Sequence, residues 1–376
     1  MARKLTVAAA QVGAINRDTP RKEVMTRLLS LLDQAAAQKV QLLVYPECTF
    51  TTFFPRHLIE PGDDLESFFE ETNDSATDLD SVARGPDTSA LFGRAVEHGI
   101  DIVVGFAERC VSEDENKGKG YNTSVYFCAS ENRVIAKYRK VHLPGTVEPF
   151  TEPDAVNQLE KRYFTPGDLG FKAFRAPGLL GRTATADEGS GVWRKGTPGV
   201  PEGEISRRKD QGKGDPVLGM LICNDRRWPE AWRVYALQGA ELIVFGYNTG
   251  ANLPALWGSR KPLTPAQAEA QALHHHTLVQ TSSSYTNSLF SISAARCGRD
   301  DADARYDLIA GSMIVNPQGY VVAEAQTKGD EIVVARIDLE ECRQGREKTF
   351  DFERHRRVEH YELLVQRTGC VEPPLL

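Results

Sequence analysis

The stretch VLGMLICNDRRWPEAWRVYALQG, residues 217–239, joins an apolar segment, a polar turn and an amphipathic segment in direct succession. The apolar run 217–222 predicts a buried strand, because uncharged residues of strand length are bounded there by polar sequence. Pro229 is typical of the first turn of a helix, and Gly239 of the position just past its end. The stretch therefore predicts a strand that leads through a charged turn into a helix, with Cys223 at the end of the strand.

Apolar strands and amphipathic helices alternate in the same way along most of the chain. The predicted strands are 5–12, 42–45, 102–106, 123–127, 134–138, 217–222, 242–245, 289–294, 313–315, 321–325 and 332–337. The predicted helices are 21–39, 87–98, 229–238 and 264–281. Strand–helix units followed by late hairpins indicate an α/β protein with mixed sheets, and not a purely doubly wound sheet.

The composition and charge of the chain exclude several classes of protein. Of the 376 residues, 41% are hydrophobic and 26% are charged, which excludes a mostly disordered, a collagen-like and a disulfide-dense chain. With a net charge of -7, the chain lacks the positive field that non-specific binding to nucleic acid or to anionic membranes needs. We therefore expect no nucleic-acid partner and no membrane association. Seven cysteines without a CxxC pair favour reduced thiols and a cytoplasmic location.

One segment, residues 177–216, departs from this pattern. It contains nine glycines and four prolines, few large apolar side chains and no sustained period of 2 or 3.6. Such a segment cannot bury enough surface to order itself, so we expect a loop insertion. It ends directly before the strand that leads to Cys223. A plain surface excursion is one interpretation, and a lid or a partner contact is the other.

Charged or nucleophilic side chains follow three of the predicted strands: Glu47, then Lys140 with His142, and then Cys223. A thiol between a strand and a helix lies near backbone N–H groups, which favour a thiolate. A carboxylate could take the thiol proton, the thiolate could attack a carbonyl or nitrile carbon, and an ammonium could stabilise the resulting charge. Spacing alone does not bring the three together. Solvated strand ends and a buried structural cysteine are the simpler alternatives.

Three segments, in this order along the chain, resemble the signatures of the nitrilase superfamily of carbon–nitrogen hydrolases. They are YPE at 45–47, KYRKVHL at 137–143 and ICNDRRWPE at 222–230. Further stretches resemble its N-carbamoyl-D-amino-acid amidohydrolase branch, namely TTFFPR at 51–56, LEKRYF at 159–164, PGDLGF at 166–171 and GYNT at 246–249. The resemblance covers nearly the whole chain outside 177–216. It implies one domain over 1–376, folded as a four-layer α-β-β-α sandwich with mixed sheets.

The resemblance also implies roles for individual residues. Glu47 is expected to be the general base, Lys140 the oxyanion stabiliser and Cys223 the nucleophile, with Glu160 as a second glutamate that positions Lys140 or the water. The substrate-binding residues that it implies are His142, Asn224, Arg226, Arg227 and Asn248. The two adjacent arginines would hold a substrate carboxylate, which a planar guanidinium matches in a bidentate manner. Their charge also predicts a lowered pKa for the Cys223 thiol.

Neither a metal nor an organic cofactor is implied by the resemblance. His274-His275-His276 could suggest a metal cluster, but adjacent helical side chains point ~100° apart and cannot easily share one ion. We expect them on a surface or interface helix. The resemblance implies a homodimer or homotetramer that pairs through helix faces, with the C-terminal arm 345–376 at a subunit interface.

Two departures from the branch concern the substrate. Gln158 stands where the branch has a pocket histidine, and the insertion 177–216 is additional. The sequence thus predicts a thiol amidohydrolase acting on a small linear C–N substrate that bears a carboxylate. An N-carbamoyl amino acid comes first, giving amino acid, CO2 and ammonia; another amide or carbamoyl metabolite, or a nitrile, comes next. A non-catalytic binding protein of the same fold is the alternative from another class, and the presence of all four catalytic side chains argues against it.

Overall fold

Two mixed β-sheets that pack face to face organise the part of the chain that the computed structural model describes, residues 3–75, 77–152, 155–181, 214–257, 261–300 and 307–374. The strands are β1 (Lys4–Gln11), β2 (Leu42–Val44), β3 (Phe69–Thr72), β4 (Asp101–Cys110), β5 (Gly120–Cys128), β6 (Arg133–Arg139), β7 (Phe174–Arg175), β8 (Val217–Ile222), β9 (Leu242–Tyr247), β10 (Phe290–Ala295), β11 (Cys297–Gly298), β12 (Leu308–Ile309), β13 (Met313–Val315), β14 (Val321–Glu324) and β15 (Glu331–Asp338).

Helices connect these strands. They are α1 (Arg21–Ala37), α2 (Asp63–Glu66), α3 (Ser81–Arg84), α4 (Ser89–His98), α5 (Glu160–Tyr163), α6 (Pro229–Leu237), α7 (Pro254–Trp257), α8 (Pro265–Asn287), α9 (Glu341–Gln344), α10 (Phe352–His355) and α11 (Leu363–Gln366). Tighter 3-10 turns occupy Phe54–Arg56, Cys223–Arg227 and Val358–His360, and a π-helical turn occupies Gly345–Thr349.

Both large sheets combine parallel and antiparallel neighbours. The first has the order β15-β1-β2-β4-β5-β6, with β3 beside β4, and the second has the order β14-β13-β10-β9-β8-β7. Within the first, β1, β2 and β4 run parallel, whereas β15, β5 and β6 pair in the antiparallel sense. Within the second, β8, β9 and β10 run parallel and β7, β13 and β14 are antiparallel to their neighbours. The predicted mixed sheets are confirmed.

The alternation of side chains along each strand produces four layers. One face of the first sheet, including Val44, shares a buried cluster with Ile222 and Val244 of the second sheet. Its other face, including Leu43, packs against apolar residues of α1 and α4 such as Leu28. The outer face of the second sheet is covered by α6 and α8. This is the predicted α-β-β-α sandwich.

Element boundaries mostly agree with the prediction, and the differences have local causes. The helix expected at 264–281 continues to Asn287, through a run of serines and a threonine that the pattern of apolar residues does not cover. The three histidines of this helix lie in different environments, so the prediction that they lie at a surface or an interface is wrong for one of them. His274 and His275 are exposed, but His276 is buried, with its ring centroid 4.5 Å from that of Tyr247. Within the described residues, no group of His, Cys, Asp and Glu side chains is arranged to hold a metal ion.

Two predicted segments are only partly visible in this architecture. Most of the expected insertion, residues 182–213, lies outside the described residues. The described part of the C-terminal arm is largely exposed from Glu353 onward, and its place at a subunit interface stays a prediction. Among the described helices, none has both the length and the apolar character needed to cross a membrane.

Two glycines allow the sheets to approach the loop after β2. A Cβ on Gly246 of β9 would lie 2.3 Å from the backbone nitrogen of Glu47, and one on Gly105 of β4 would lie 2.9 Å from its Cα. Real Cβ atoms do not come so close to backbone atoms, so both positions require glycine for steric reasons. The backbone of Glu47 is thus enclosed between a strand of each sheet.

We predict that Gly246→Ala destabilises the protein by about 1–3 kcal/mol, because the added methyl group must displace the backbone of the Glu47 loop. Gly93→Ala is the matched control, since Gly93 lies in α4 and its Cβ would meet open space. That change should stabilise the protein by about 0.5–1 kcal/mol through the higher helix propensity of alanine. Urea unfolding of the three proteins compares them. An unchanged or raised midpoint for Gly246→Ala would contradict the steric argument.

Candidate active site

A buried ammonium between two carboxylates lies at the centre of the site. Lys140, directly after β6, places its Nζ 2.8 Å from Glu47 Oε1 and 2.6 Å from Glu160 Oε2. The side chains of all three residues are fully buried. An isolated buried charge costs several kcal/mol, so this ammonium depends on both partners. The structure therefore brings together three of the four predicted catalytic residues, from separate parts of the chain.

Burial and charge act against each other in this group. Burial disfavours the charge of Lys140, but the carboxylates of Glu160 and Glu47 outweigh it and raise the pKa of the ammonium well above its usual value. Burial also raises the pKa of Glu160 to about 7, although Lys140 opposes the shift. Glu160 can therefore gain or lose a proton near neutral pH, whereas Lys140 stays charged.

Glu47 is held by donors from both sheets. Its Oε1 accepts a hydrogen bond from Asn122 Nδ2 of β5 at 2.7 Å, and its Oε2 accepts one from the backbone N–H of Asn248 at 3.0 Å. Asn248 Nδ2 also donates to the backbone carbonyl of Glu47 at 2.8 Å. Asn122 was missed by the sequence prediction. The polar triplet Asn122-Thr123-Ser124 inside an otherwise apolar strand is the signal that could have revealed it.

The far side of the Glu47 loop is held by a buried guanidinium. Arg296, at the end of β10, is 0% exposed, and its Nη2 donates to the carbonyl oxygens of Cys48 at 2.9 Å and Thr51 at 3.0 Å. Cys48 has a φ of 48°, a left-handed conformation that is uncommon for a residue with a side chain. Arg296 thereby holds a strained turn next to the predicted general base. No feature of the local sequence indicates this contact, because Arg296 lies far away along the chain.

Cys223 occupies a similar strained turn at the end of β8. Its φ is 47°, it begins a 3-10 turn, and its Sγ lies 3.8 Å from the carbonyl oxygen of Asn248. Left-handed conformations of non-glycine residues cluster at functional sites, where the surrounding structure maintains them. Asn248 thus contacts both the Cys223 thiol and the Glu47 carboxylate, which brings the predicted nucleophile close to the predicted base.

The expected lowering of the Cys223 pKa is wrong. Burial raises the pKa of the thiol and Glu47 adds to this, whereas Lys140 and Arg226 oppose it without reversing it. The prediction failed because it counted the two neighbouring arginines but not the loss of solvation. A thiol with a raised pKa rests in its protonated form, so it needs a base to become a nucleophile.

The two arginines of the turn occupy different environments. Arg226 is buried, donates from Nη1 to Cys223 O at 2.6 Å and from Nη2 to Thr249 Oγ1 at 2.9 Å, and lies over the ring of Tyr247. Arg227 is partly exposed and donates from Nη1 to Asn224 Oδ1 at 3.0 Å. Burial and the charge of Arg226 lower the pKa of Arg227 to about 10. Arg226 is thus engaged with the turn at Cys223 itself, whereas Arg227 lies nearer the solvent.

His142 and Gln158 make further contacts around the candidate site. The His142 ring stacks on Trp228 at a centroid distance of 4.7 Å, and its backbone carbonyl accepts from Asn224 Nδ2 at 3.1 Å. Gln158 Nε2 donates to Glu160 Oε1 at 2.9 Å. Two of the predicted substrate-binding residues, His142 and Asn224, are thereby joined to each other by a hydrogen bond. Gln158 contacts Glu160 directly, so its amide acts on a predicted catalytic residue.

Comparison with known proteins identifies the family of this chain. The family model described as carbon-nitrogen hydrolase matches residues 6–347. The chain belongs to the carbon-nitrogen hydrolase family, within the nitrilase superfamily. It is accordingly a hydrolase of carbon–nitrogen bonds other than peptide bonds, and the resemblance seen in the sequence is confirmed at this level.

Individual relatives of this carbon-nitrogen hydrolase are distant. An N-carbamoylputrescine amidase of Oryza sativa subsp. japonica is 25% identical over 264 residues, 69% of this chain and 68% of that protein. An omega-amidase of Homo sapiens is 24% identical over 368 residues, 97% of this chain and 98% of that protein. The crystal structure of a carbon-nitrogen hydrolase from Helicobacter pylori matches with a TM-score of 0.67 at 22% identity, over 96% of this chain and 99% of that one. These similarities support the family and the fold.

We predict that Cys223→Ala, Glu47→Gln and Lys140→Ala each lower turnover by several orders of magnitude, because groups that act as one unit fail together. Turnover is measured on any hydrolysed substrate, and circular dichroism verifies that each variant is folded. Cys370→Ala is the control, since this exposed thiol should be dispensable. Substantial turnover by Cys223→Ala would refute its assignment as the nucleophile.

A second prediction concerns stability and pH. The pKa of Glu160 rises from 4.5 to about 7 on folding, so the native state binds more protons in that window and Glu160 costs stability as the pH increases. Between pH ~5 and pH ~8 the stability of Glu160→Gln should therefore improve relative to the parent protein by up to about 3 kcal/mol. Urea unfolding at both pH values measures this difference. A pH-independent difference would show that Glu160 titrates normally.

Proposed function

We propose that this carbon-nitrogen hydrolase cleaves the carbamoyl group from an N-carbamoyl amino acid, with the D-enantiomer as the first candidate. The products are the amino acid, CO2 and ammonia. The proposal is carried by one observation: a lysine ammonium bound by two buried carboxylates lies beside a strained cysteine turn that also bears two arginines. The first group suits attack on a carbamoyl carbon, and Arg227, the more exposed of the two arginines, suits a substrate carboxylate.

The proposed reaction begins with the protonated thiol. Glu47 removes the proton of Cys223, and the thiolate attacks the carbamoyl carbon while the Lys140 ammonium stabilises the oxyanion. The bond from the carbamoyl carbon to the amino-acid nitrogen then breaks, and that nitrogen takes the proton from Glu47. An S-carbamoyl cysteine is left. Water, deprotonated by Glu47, attacks this intermediate, and the carbamic acid released on regeneration of the thiol decomposes to CO2 and ammonia.

Glu160 supports Lys140 in this scheme and does not act as a second base at the thiol. Its Oε2 accepts from Lys140 Nζ and its Oε1 from Gln158 Nε2, so both oxygens are engaged with these two residues and neither contacts the thiol. Lys140 Nζ is held by Glu47 and by Glu160, and Glu160 is held by Gln158, so the direction of the ammonium is fixed. Positioning of this kind matters because oxyanion stabilisation depends on donors that are in place before the charge develops.

Arg227 is the proposed contact of the substrate carboxylate. It is partly exposed, unlike buried Arg226, and its Nη1 donates to Asn224 Oδ1 beside the Cys223 turn. Arg226 keeps its place behind the turn, where its contacts with Cys223 O and Thr249 hold the nucleophile. His142 and Asn248 complete the proposed substrate pocket. The N-carbamoylputrescine amidase among the relatives supports a carbamoyl substrate.

A second candidate is hydrolysis of a terminal amide on a carboxylate-bearing substrate. It is favoured by the omega-amidase, which matches almost the full length of this chain. The same catalytic groups would serve, with ammonia as the first leaving group. A non-catalytic binding protein is the third alternative, and the four linked catalytic side chains argue against it.

The proposal extends to the setting of the enzyme. All seven cysteines are free thiols, which supports a reducing, cytoplasmic compartment. Exposed Leu363, Leu364 and Val365 support the C-terminal arm as a subunit contact of a homodimer or homotetramer. The proposed mechanism requires neither a metal nor an organic cofactor, and we propose no nucleic-acid or membrane partner.

Mass spectrometry of Cys223 provides the test of the substrate class. The enzyme is incubated with N-carbamoyl-D- and L-amino acids, N-carbamoylputrescine, terminal amides and nitriles, and ammonia and the amine product are quantified. We expect hydrolysis of the carbamoyl amino acids and a transient carbamoyl adduct on Cys223. Hydrolysis of terminal amides alone would favour the second candidate. A protein that hydrolyses no compound and forms no adduct would favour a binding role.

The carboxylate contact gives a further prediction. A charge-assisted bidentate contact is worth ~2–3 kcal/mol, so Arg227→Ala should raise KM roughly 30–150-fold for a carboxylate-bearing substrate. The neutral amide or ester of the same substrate should be much less affected. Arg94→Ala, on the surface of α4, is the control for a lost arginine. If Arg227→Ala impairs charged and neutral substrates equally, Arg227 is structural and the carboxylate contact is elsewhere.

A further inference from the structure

A fully buried aspartate, Asp225, connects the two halves of the catalytic group. Its Oδ1 accepts hydrogen bonds from the backbone N–H of His142 at 2.9 Å and from Nδ1 of the same residue at 2.8 Å. Its Oδ2 accepts from the hydroxyl of Tyr138 at 2.7 Å and from the backbone N–H of Ile222 at 3.2 Å. The carboxylate therefore has four donors, and none of them is an arginine.

The positions of these donors along the chain show which segments the Asp225 carboxylate joins. Tyr138 and His142 lie two residues before and two residues after Lys140, at the end of a strand of the first sheet. Ile222 immediately precedes Cys223, at the end of a strand of the second sheet. A single side chain thus bonds to both flanks of the ammonium-bearing segment and to the residue before the nucleophile.

We infer that Asp225 is a positioning residue that sets the geometry between the Lys140 ammonium and the Cys223 thiol. The inference rests on the roles that the proposed function gives to Lys140 and Cys223. It does not depend on the identity of the substrate, because any carbonyl or nitrile carbon attacked by Cys223 develops its negative charge where Lys140 must reach it.

The arrangement requires a carboxylate at this place. Its two oxygens each accept two hydrogen bonds, and bonds to an ionised acceptor are stronger than neutral ones. An asparagine would offer one oxygen and an NH2 group, so two of the four donors would face another donor. The expected result of that exchange is a shift of one segment against the other. A displacement of ~1 Å near a reacting centre is enough to reduce the rate ~100-fold.

Asp225→Asn is the direct test, and Asp101→Asn is its matched control. Asp101 is also a buried aspartate that accepts from a tyrosine hydroxyl, that of Tyr126, and from a backbone N–H, that of Ala129 at 2.8 Å. It belongs to the first sheet alone. We expect kcat to fall ~100-fold in Asp225→Asn with KM changed less than about 3-fold, and to change less than about 3-fold in Asp101→Asn.

Tyr138→Phe provides a milder variant that tests the inference even where Asp225→Asn fails to fold. It removes one of the four donors, and the loss of one hydrogen bond corresponds to a decrease in kcat of about 5-fold, again with KM nearly unchanged. Formate should partly restore kcat to Asp225→Ala, because it can occupy the space of the missing carboxylate. An unaltered kcat in Tyr138→Phe together with no formate rescue would overturn the inference.

The rate of alkylation of Cys223 by iodoacetamide separates this inference from the proposed function. It requires deprotonation of the thiol but no hydrolysed substrate. We expect alkylation to be slowed at least 10-fold in Asp225→Asn relative to Asp101→Asn, because the thiol is displaced from its base. If carbamoyl compounds are not hydrolysed but this difference is observed, the proposed substrate fails and the positioning role stands. Equal alkylation rates and equal kcat values in the two variants would refute the positioning role.

Discussion

The ion pairs of the buried Lys140 ammonium with Glu47 and Glu160 are the interactions on which the rest of this structure depends. Removing a lysine from water is costly, and only a close fit to Glu47 and Glu160 makes it tolerable. Glu47 comes from the loop after β2, Lys140 from the end of β6 and Glu160 from a short helix, so the charge can be satisfied only when distant segments are in place. The site and the packing of the first sheet therefore form together.

The second sheet supplies Cys223, the predicted nucleophile, and the approach of the two sheets is controlled at a few points. Gly246 lets β9 come within contact of the Glu47 backbone, and Asn248, two residues later, bonds to the Glu47 carboxylate and lies beside the thiol. Arg296 holds the other side of the same loop from β10. The contacts of Gly246, Asn248 and Arg296 with the Glu47 loop cross from one sheet to the other, so the α-β-β-α arrangement is needed to assemble the candidate site.

Most strand positions could be predicted from short apolar runs, because the central strands are buried on both faces. Helix α1 could be predicted from the helical spacing of its buried apolar residues. The layers and the catalytic residues needed the resemblance to a family, since the spacing between Glu47, Lys140 and Cys223 does not show that they meet. The contacts of Arg296 and Asp225 could not be predicted, because they depend on which segments become neighbours. The thiol pKa was predicted in the wrong direction for the same reason: adjacency in sequence gave the charge of the arginines but not the burial of Cys223.

The way in which protons and charges are shared among the buried groups explains how the proposed hydrolysis can proceed without contact with bulk water. In the proposed mechanism the thiol starts protonated and Lys140 positively charged, and the Glu47 carboxylate carries the negative charge that accepts the thiol proton. When Glu47 takes the thiol proton and the oxyanion forms, the negative charge moves from the carboxylate to the substrate oxygen beside Lys140. The net charge stays the same at each step. Because no new charge is created in the low-dielectric interior, the desolvation cost is met once, on folding, and the barrier reflects only the redistribution of charge among groups already in position.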